Sequence, residues 1–191
     1  MTDYPNWFDS QKHNFENHLL HLKGKPDLRF LQIGVYTGDA SMWLCENVLT
    51  DETSFLYDID TWTGSEEKAH EQIDFDKVLE FYKDRVATLK SAVWLRMSSD
   101  EYFRQNKNID FDFIYIDGDH TAEQVAKDAK NAWLQLKPNG IMAFDDYLWG
   151  ADLEPNLTPK PAIDDFLSKY AGRYWLLSQD YQVWIQKNAT I

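Results

Sequence analysis

The sequence predicts an α/β fold: a mostly parallel sheet with helices on both faces, closed by a C-terminal antiparallel hairpin. Three observations predict it. Strand-like and helix-like segments alternate along the chain, the pattern of βα units rather than of a bundle or sandwich. Phe111 to Ile116 is apolar on both faces, as a central parallel strand is. Two apolar runs near the C-terminus flank Ser178-Gln179-Asp180, which reads as a hairpin.

The elements follow in order. A polar N-terminal segment carries Trp7, Phe8, Phe15, Leu19, Leu20 and Leu22 at amphipathic spacing and ends at Lys23-Gly24. Arg29 to Ile33 is a short buried strand, followed by a turn from Gly34 to Gly38 and a helix from about Ala40 to Leu49. Ser54 to Ile59 is a second strand. Thr61 to His70 is polar and irregular, and a helical period returns from Phe75 to Leu89. Ala92 to Arg96 and Phe111 to Ile116 are the third and fourth strands. The next helix carries Val125, Ala129, Ala132, Trp133 and Leu136, with Thr121 and Gln124 spaced as a capping box. Lys137 to Gly140 stops it, and Ile141 to Phe144 is the fifth strand. Pro161 opens a helix that runs to Tyr170, with Gly172 just past its end. Tyr174 to Leu177 and Gln182 to Gln186 form the hairpin. With no repeat or linker, residues 1–191 read as a single domain, residues 1–27 a helical segment and 28–191 the α/β core.

Charge excludes several partners. The 191 residues hold 19 Lys and Arg against 32 Asp and Glu, a net charge of -13. That balance cannot build the basic face that nucleic acid requires, and it disfavours an anionic membrane surface. The single cysteine, Cys45, excludes an internal disulfide framework and reads as structural. No signal peptide and no membrane span of roughly 20 apolar residues is visible, so a cytoplasmic protein is the expectation.

Ligands of open α/β sheets bind beyond the carboxyl ends of the strands. In this chain those ends are crowded with carboxylates: Asp58 and Asp60 after the second strand, Asp100 after the third, Asp117 and Asp119 after the fourth, Asp145 and Asp146 after the fifth. The turn Gly34-Val35-Tyr36-Thr37-Gly38 has Tyr36 where a dinucleotide fingerprint needs glycine, so a diphosphate would be held off. An adenosine-type cofactor without a diphosphate fits, with Asp58 or Asp60 at the position that holds a ribose. Asp117, Asp145 and Asp146 fall on adjacent strand ends. Close carboxylates repel, and a hard divalent ion such as Mg²⁺ relieves them. His120 and Asp119 are the candidate proton acceptors. Trp62, Tyr147 and Trp149 follow strand ends and either wall a pocket or pack. His13, His18, His21 and His70 read as surface residues, as do Glu66, Glu67 and Glu71.

Four stretches carry a resemblance: Phe30 to Ser41, Tyr57-Asp-Ile-Asp-Thr-Trp-Thr-Gly64, Phe111 to His120 and Leu136 to Asp146. They resemble class I S-adenosylmethionine-dependent methyltransferases of Rossmann-like fold, in particular the small metal-dependent O-methyltransferases of catechol or macrocin type. That resemblance implies S-adenosylmethionine and Mg²⁺ as cofactors and a small-molecule hydroxyl acceptor, a sugar or a catechol-like compound. Gly34, Gly38 and Ser41 would line the methionine and ribose part, and Asp60 or Asp58 the ribose hydroxyls. Ser98, Ser99 and Asp100 would border the adenine. Asp117, which also borders the cofactor, would hold the metal with Asp145 and Asp146, and His120 or Asp119 would be the general base. The family's acid on the first strand is Gln32 here. A short N-terminal extension leaves the acceptor site open or completed by a partner subunit, as in a homodimer. The rivals are a metal-independent methyltransferase acting on nitrogen or carbon, a nucleotide-binding oxidoreductase and a non-catalytic binding module.

Overall fold

The computed structural model describes residues 4–64 and 72–189. Its seven strands are β1 (Arg29–Ile33), β2 (Phe55–Asp60), β3 (Ala92–Arg96), β4 (Phe111–Ile116), β5 (Leu136–Phe144), β6 (Tyr174–Gln179) and β7 (Val183–Lys187). They form one sheet in the order β3-β2-β1-β4-β5-β7-β6. The first five are parallel and β7 runs antiparallel to both its neighbours. Strand order reverses between β1 and β4, so a crevice opens above that pair.

The helices are α1 (Phe8–Leu19), α2 (Asp39–Asn47), α3 (Phe75–Val86), α4 (Ser99–Gln105), α5 (Ala122–Gln135) and α6 (Lys160–Lys169). The two-residue period of the strands divides the core. In β4, Ile114 and Ile116 face the layer that holds Val125, Trp133 and Phe166 of α5 and α6. Phe113 and Tyr115 face the layer of α1 and α2, with Phe15, Trp43 and Leu44. Phe15 and Leu19 of α1 are fully buried. Cys45 lies in the α2 layer, where burial pushes its thiol up to about 12, a structural cysteine.

Three expectations are corrected. The segment between β3 and β4 holds α4, for which no helix was expected. Its signal is a capping sequence, since Ser98 caps α4 and its hydroxyl accepts from the Glu101 amide. The box at α5 is half made. Thr121 Oγ1 accepts from the Gln124 amide, but the Gln124 side chain crosses to Ser99 instead of turning back. β5 also begins earlier, at Leu136, with Asn139 taking the left-handed conformation (φ 63°) inside the Lys137 to Gly140 stretch. His13 and His21 are exposed as expected; His18 is half-buried against Trp184 and bonds Ser178. His70, Glu66, Glu67 and Glu71 lie outside the described residues. Among the described residues, no helix is long and apolar enough to cross a membrane.

Candidate active site

The carboxyl ends of β1 to β5 open into a cavity of about 770 Å³, with Trp7, Phe8, Ser10 and Gln11 of the α1 region at its mouth. That size suits a small-molecule ligand.

The glycine turn forms the floor. Gly34 is left-handed (φ 82°), and a Cβ there would stand 1.8 Å from the Asp117 carbonyl oxygen, so β1 and β4 approach closely only with glycine. Asp60 pins the turn from the end of β2. Its Oδ2 accepts the amides of Val35 (2.7 Å) and Tyr36 (3.0 Å), and its Oδ1 accepts that of Trp62 (2.7 Å). Oδ2 is thereby filled, Oδ1 keeps a lone pair, and Asp60 lines the cavity.

Asp58, the alternative ribose acid, does not line the cavity. In the β1–β2 register Gln32 pairs with Asp58 and Ile33 with Ile59, so Asp58 sits inside the sheet while Asp60 clears its end. Tyr82 donates to Asp58 Oδ2 at 2.7 Å, and burial pushes the Asp58 acid up to about 7. Ser41 is likewise fully buried behind the turn, where its hydroxyl donates to Gln32 Oε1. Gly38 caps α2 against the Tyr82 ring. These three expected cofactor contacts instead back the wall, together with Gln32, which faces the cavity and donates to the Gly34 carbonyl at 2.9 Å.

Ser98, Ser99 and Asp100 line the β3 end of the cavity. Two residues of α5 that the sequence did not place at the site, Gln124 and Asp128, join them. Gln124 Nε2 lies 3.2 Å from Ser99 Oγ, 3.4 Å from Asp100 Oδ1 and 3.2 Å from Asp128 Oδ1. Asp128 is 1% exposed; burial pushes its acid up to about 7 against the pull of Ser99 and Gln124. At i, i+4 spacing the pair shares one face of α5, the only signal that could have revealed it.

The β4 and β5 ends carry the sharpest cluster. One donor atom each from Asp117, His120 and Asp146 lie within 4.8 Å of one another, an arrangement able to hold a metal ion. His120 Nε2 is 2.9 Å from Asp146 Oδ2. Burial, and then Asp145 and Asp146, hold the Asp117 acid well above the usual carboxylate range. The sequence pointed to Asp117, Asp145 and Asp146; the three-donor arrangement has His120 where Asp145 was expected. Asp145 continues the alternation of β5 onto the α1 face, where its Oδ2 accepts from Tyr115 and from Gln182 Nε2 (3.0 Å). Asp146 leaves the strand in a left-handed conformation (φ 58°), which swings it toward His120. Asp145 still lines the cavity, as a neighbour of the three-donor cluster rather than a member. Asp119 is exposed on the same rim, its Oδ1 accepting the Thr121 amide at 2.7 Å.

Of the aromatic candidates, Trp149 lines the cavity and packs its ring 4.5 Å from that of His120. Trp62 is buried on Tyr82 (5.1 Å). Tyr147 is buried and bonds Asp164 and Lys160. Tyr115, Tyr181, Trp7 and Phe8, which the sequence reading did not place at the site, line it as well.

A family model described as a methyltransferase domain matches residues 31–147. No curated protein sequence matches the chain. Among solved structures, the O-methyltransferase from Bacillus cereus in complex with SAH aligns with a TM-score of 0.61 at 14% identity, over 84% of this chain and 74% of that one. The O-methyltransferase TomG from Streptomyces achromogenes, involved in tomaymycin synthesis and bound to SAM, aligns with a TM-score of 0.68 at 14% identity. That match covers 98% of this chain and 83% of that one. Likeness at this identity carries the fold.

Proposed function

The chain belongs to the methyltransferase-domain family and is an S-adenosylmethionine-dependent methyltransferase; we propose that it methylates a hydroxyl of a small molecule, assisted by a hard divalent cation such as Mg²⁺. The observation that carries this reading is the convergence of Asp117, His120 and Asp146 in the crevice beside the Gly34 turn.

The donors fit a cation. Two carboxylates and an imidazole form an oxygen-rich set, and the half-buried Asp117 acid is the group that a cation would return to its ionised form. Asp117, Asp146 and His120 would hold the divalent ion, which when bound would supply Lewis acidity toward an acceptor hydroxyl. The remaining work falls to the chain. Asp60 takes the ribose hydroxyls, the Gly34 to Gly38 turn seats the methionine part, and Ser98, Ser99 and Asp100 border the adenine. The acceptor oxygen attacks the sulfonium methyl in line, the carbon–sulfur bond breaks to leave a thioether, and Asp119 takes the proton at its carboxylate. Most of the rate is orientation.

The 2.9 Å contact of His120 with Asp146 supports a second reading. There Asp146 orients the imidazole, His120 itself takes the proton, no metal is used, and the acceptor atom extends to nitrogen or carbon. Methyl transfer with and without a chelator separates the two. Loss of activity on chelation and recovery with Mg²⁺ supports the first reading; full activity in chelator supports the second.

A further inference from the structure

The metal cluster and the cofactor contacts leave the composition of the rest of the cavity wall unexplained. Among the described residues, eight aspartates line the cavity and neither lysine nor arginine does. Two cations behind the wall are committed: Arg85 donates to Asp39 Oδ1 (2.7 Å) and to the Thr37 carbonyl (2.9 Å), and Arg96 to Asp76 Oδ1 (2.9 Å) and to the Thr61 carbonyl (3.1 Å). A divalent ion and a sulfonium together bring three positive charges to these carboxyls, so the wall keeps a negative surplus. Low-dielectric walls focus such a field onto whatever enters.

Aromatic rings accompany the carboxylates near the cluster. Trp149 stands against His120, ring centres 4.5 Å apart, and Tyr181 lies beside Asp146. Asp119 stands exposed on the same rim with one oxygen committed to the Thr121 amide. Carboxylates interleaved with ring faces are the chemistry that receives an ammonium group. Among the described residues, a phosphate or carboxylate meets no lysine or arginine on this wall, and an anionic substrate would be repelled.

Resting on the methyltransferase reading above, we propose that the acceptor is a hydroxyl compound bearing a protonated amine and no anionic group, and that Asp119 selects for that charge. Phosphorylated sugars, nucleotide-linked sugars, coenzyme A thioesters and polynucleotides are thereby excluded as acceptors.

The test is the affinity of the full chain, with Mg²⁺ and S-adenosylhomocysteine present, for three catechols of matched size. Their side chains end in an ammonium (dopamine), a methyl (4-ethylcatechol) and a carboxylate (3,4-dihydroxyphenylacetate). The ammonium probe is expected to bind about tenfold or more tightly than the carboxylate probe at about 20 mM salt, the gap shrinking at about 300 mM. Asp119→Asn should narrow the gap several-fold, and Asp119→Lys should invert it. Equal or tighter binding of the carboxylate probe overturns the proposal, as does no binding of the ammonium probe or a gap that Asp119→Asn leaves unchanged. Failure of the O-methyl reading is a separate outcome: selective binding of the ammonium probe with no methyl transferred to its hydroxyls.

Discussion

Three residues bear the sharpest consequences. Asp128 is a buried acid held near 7, so its folded-state pKa lies above the 3.8 of the unfolded chain. Such a group contributes stability below pH 3.8 that is lost as pH rises through about 7. Asp128→Asn keeps an oxygen for Gln124 and places an amide toward Ser99. Its unfolding free energy should match that of the wild type at pH 4 and exceed it at pH 8, by at most about 4 kcal/mol. Chemical denaturation at the two pH values checks this; an equal difference at both contradicts it. Gly34→Ala would drive a methyl into the Asp117 carbonyl and strain a left-handed backbone. It should destabilise the fold by about 3 kcal/mol or more and displace Asp117, read as a fall in melting temperature with loss of methyl transfer. Asp117→Asn removes an acid that burial and its neighbours disfavour. It should lower methyl-transfer kcat/KM by about 100-fold or more while the melting temperature holds or rises, an opposition that a merely structural aspartate would not produce.

At the level of elements, the cavity is made by helix starts. α4 begins at Ser98, and α5 begins at Thr121, directly after the Asp117 to His120 turn. Ser98→Ala removes the cap of a seven-residue helix, about 1 kcal/mol. Because Ser99 and Asp100 lie in that first turn, KM for S-adenosylmethionine should rise more than kcat falls; steady-state kinetics checks the split. The strands were legible as short apolar runs bounded by turn residues: β1, β3 and β4 lie where those runs put them. α4 was not legible, since a helix this short has no full apolar stripe and its cap lies among residues that equally suit a loop. Which acid reaches the site was equally hidden. Asp58 and Asp60 share one face of β2, and only the pairing of β1 with β2, fixed by packing, says that one is covered and the other free. The same holds at β5, where a single left-handed residue sends Asp146 to His120 and leaves Asp145 with Tyr115.

For the whole molecule, strand order decides where chemistry can occur. Two halves of a parallel sheet part between β1 and β4, and the residues beyond those ends meet although they are far apart in sequence. The net charge of -13 is therefore not spread evenly in its effect. Part of it is surface, and part is gathered around the crevice, where it suits a divalent ion and a sulfonium. Gathering was predictable from strand ends; membership of the three-donor cluster was not, because it turns on side-chain direction. The claim that joins these scales is that Asp117, His120 and Asp146 hold a cation that activates a hydroxyl for methylation. Its most direct measurement is S-adenosylhomocysteine release from S-adenosylmethionine and a hydroxyl acceptor, with excess chelator and after Mg²⁺ is restored. Release that stops in chelator, returns with Mg²⁺ and is lost in Asp117→Asn is the predicted result; undiminished release in chelator would contradict it.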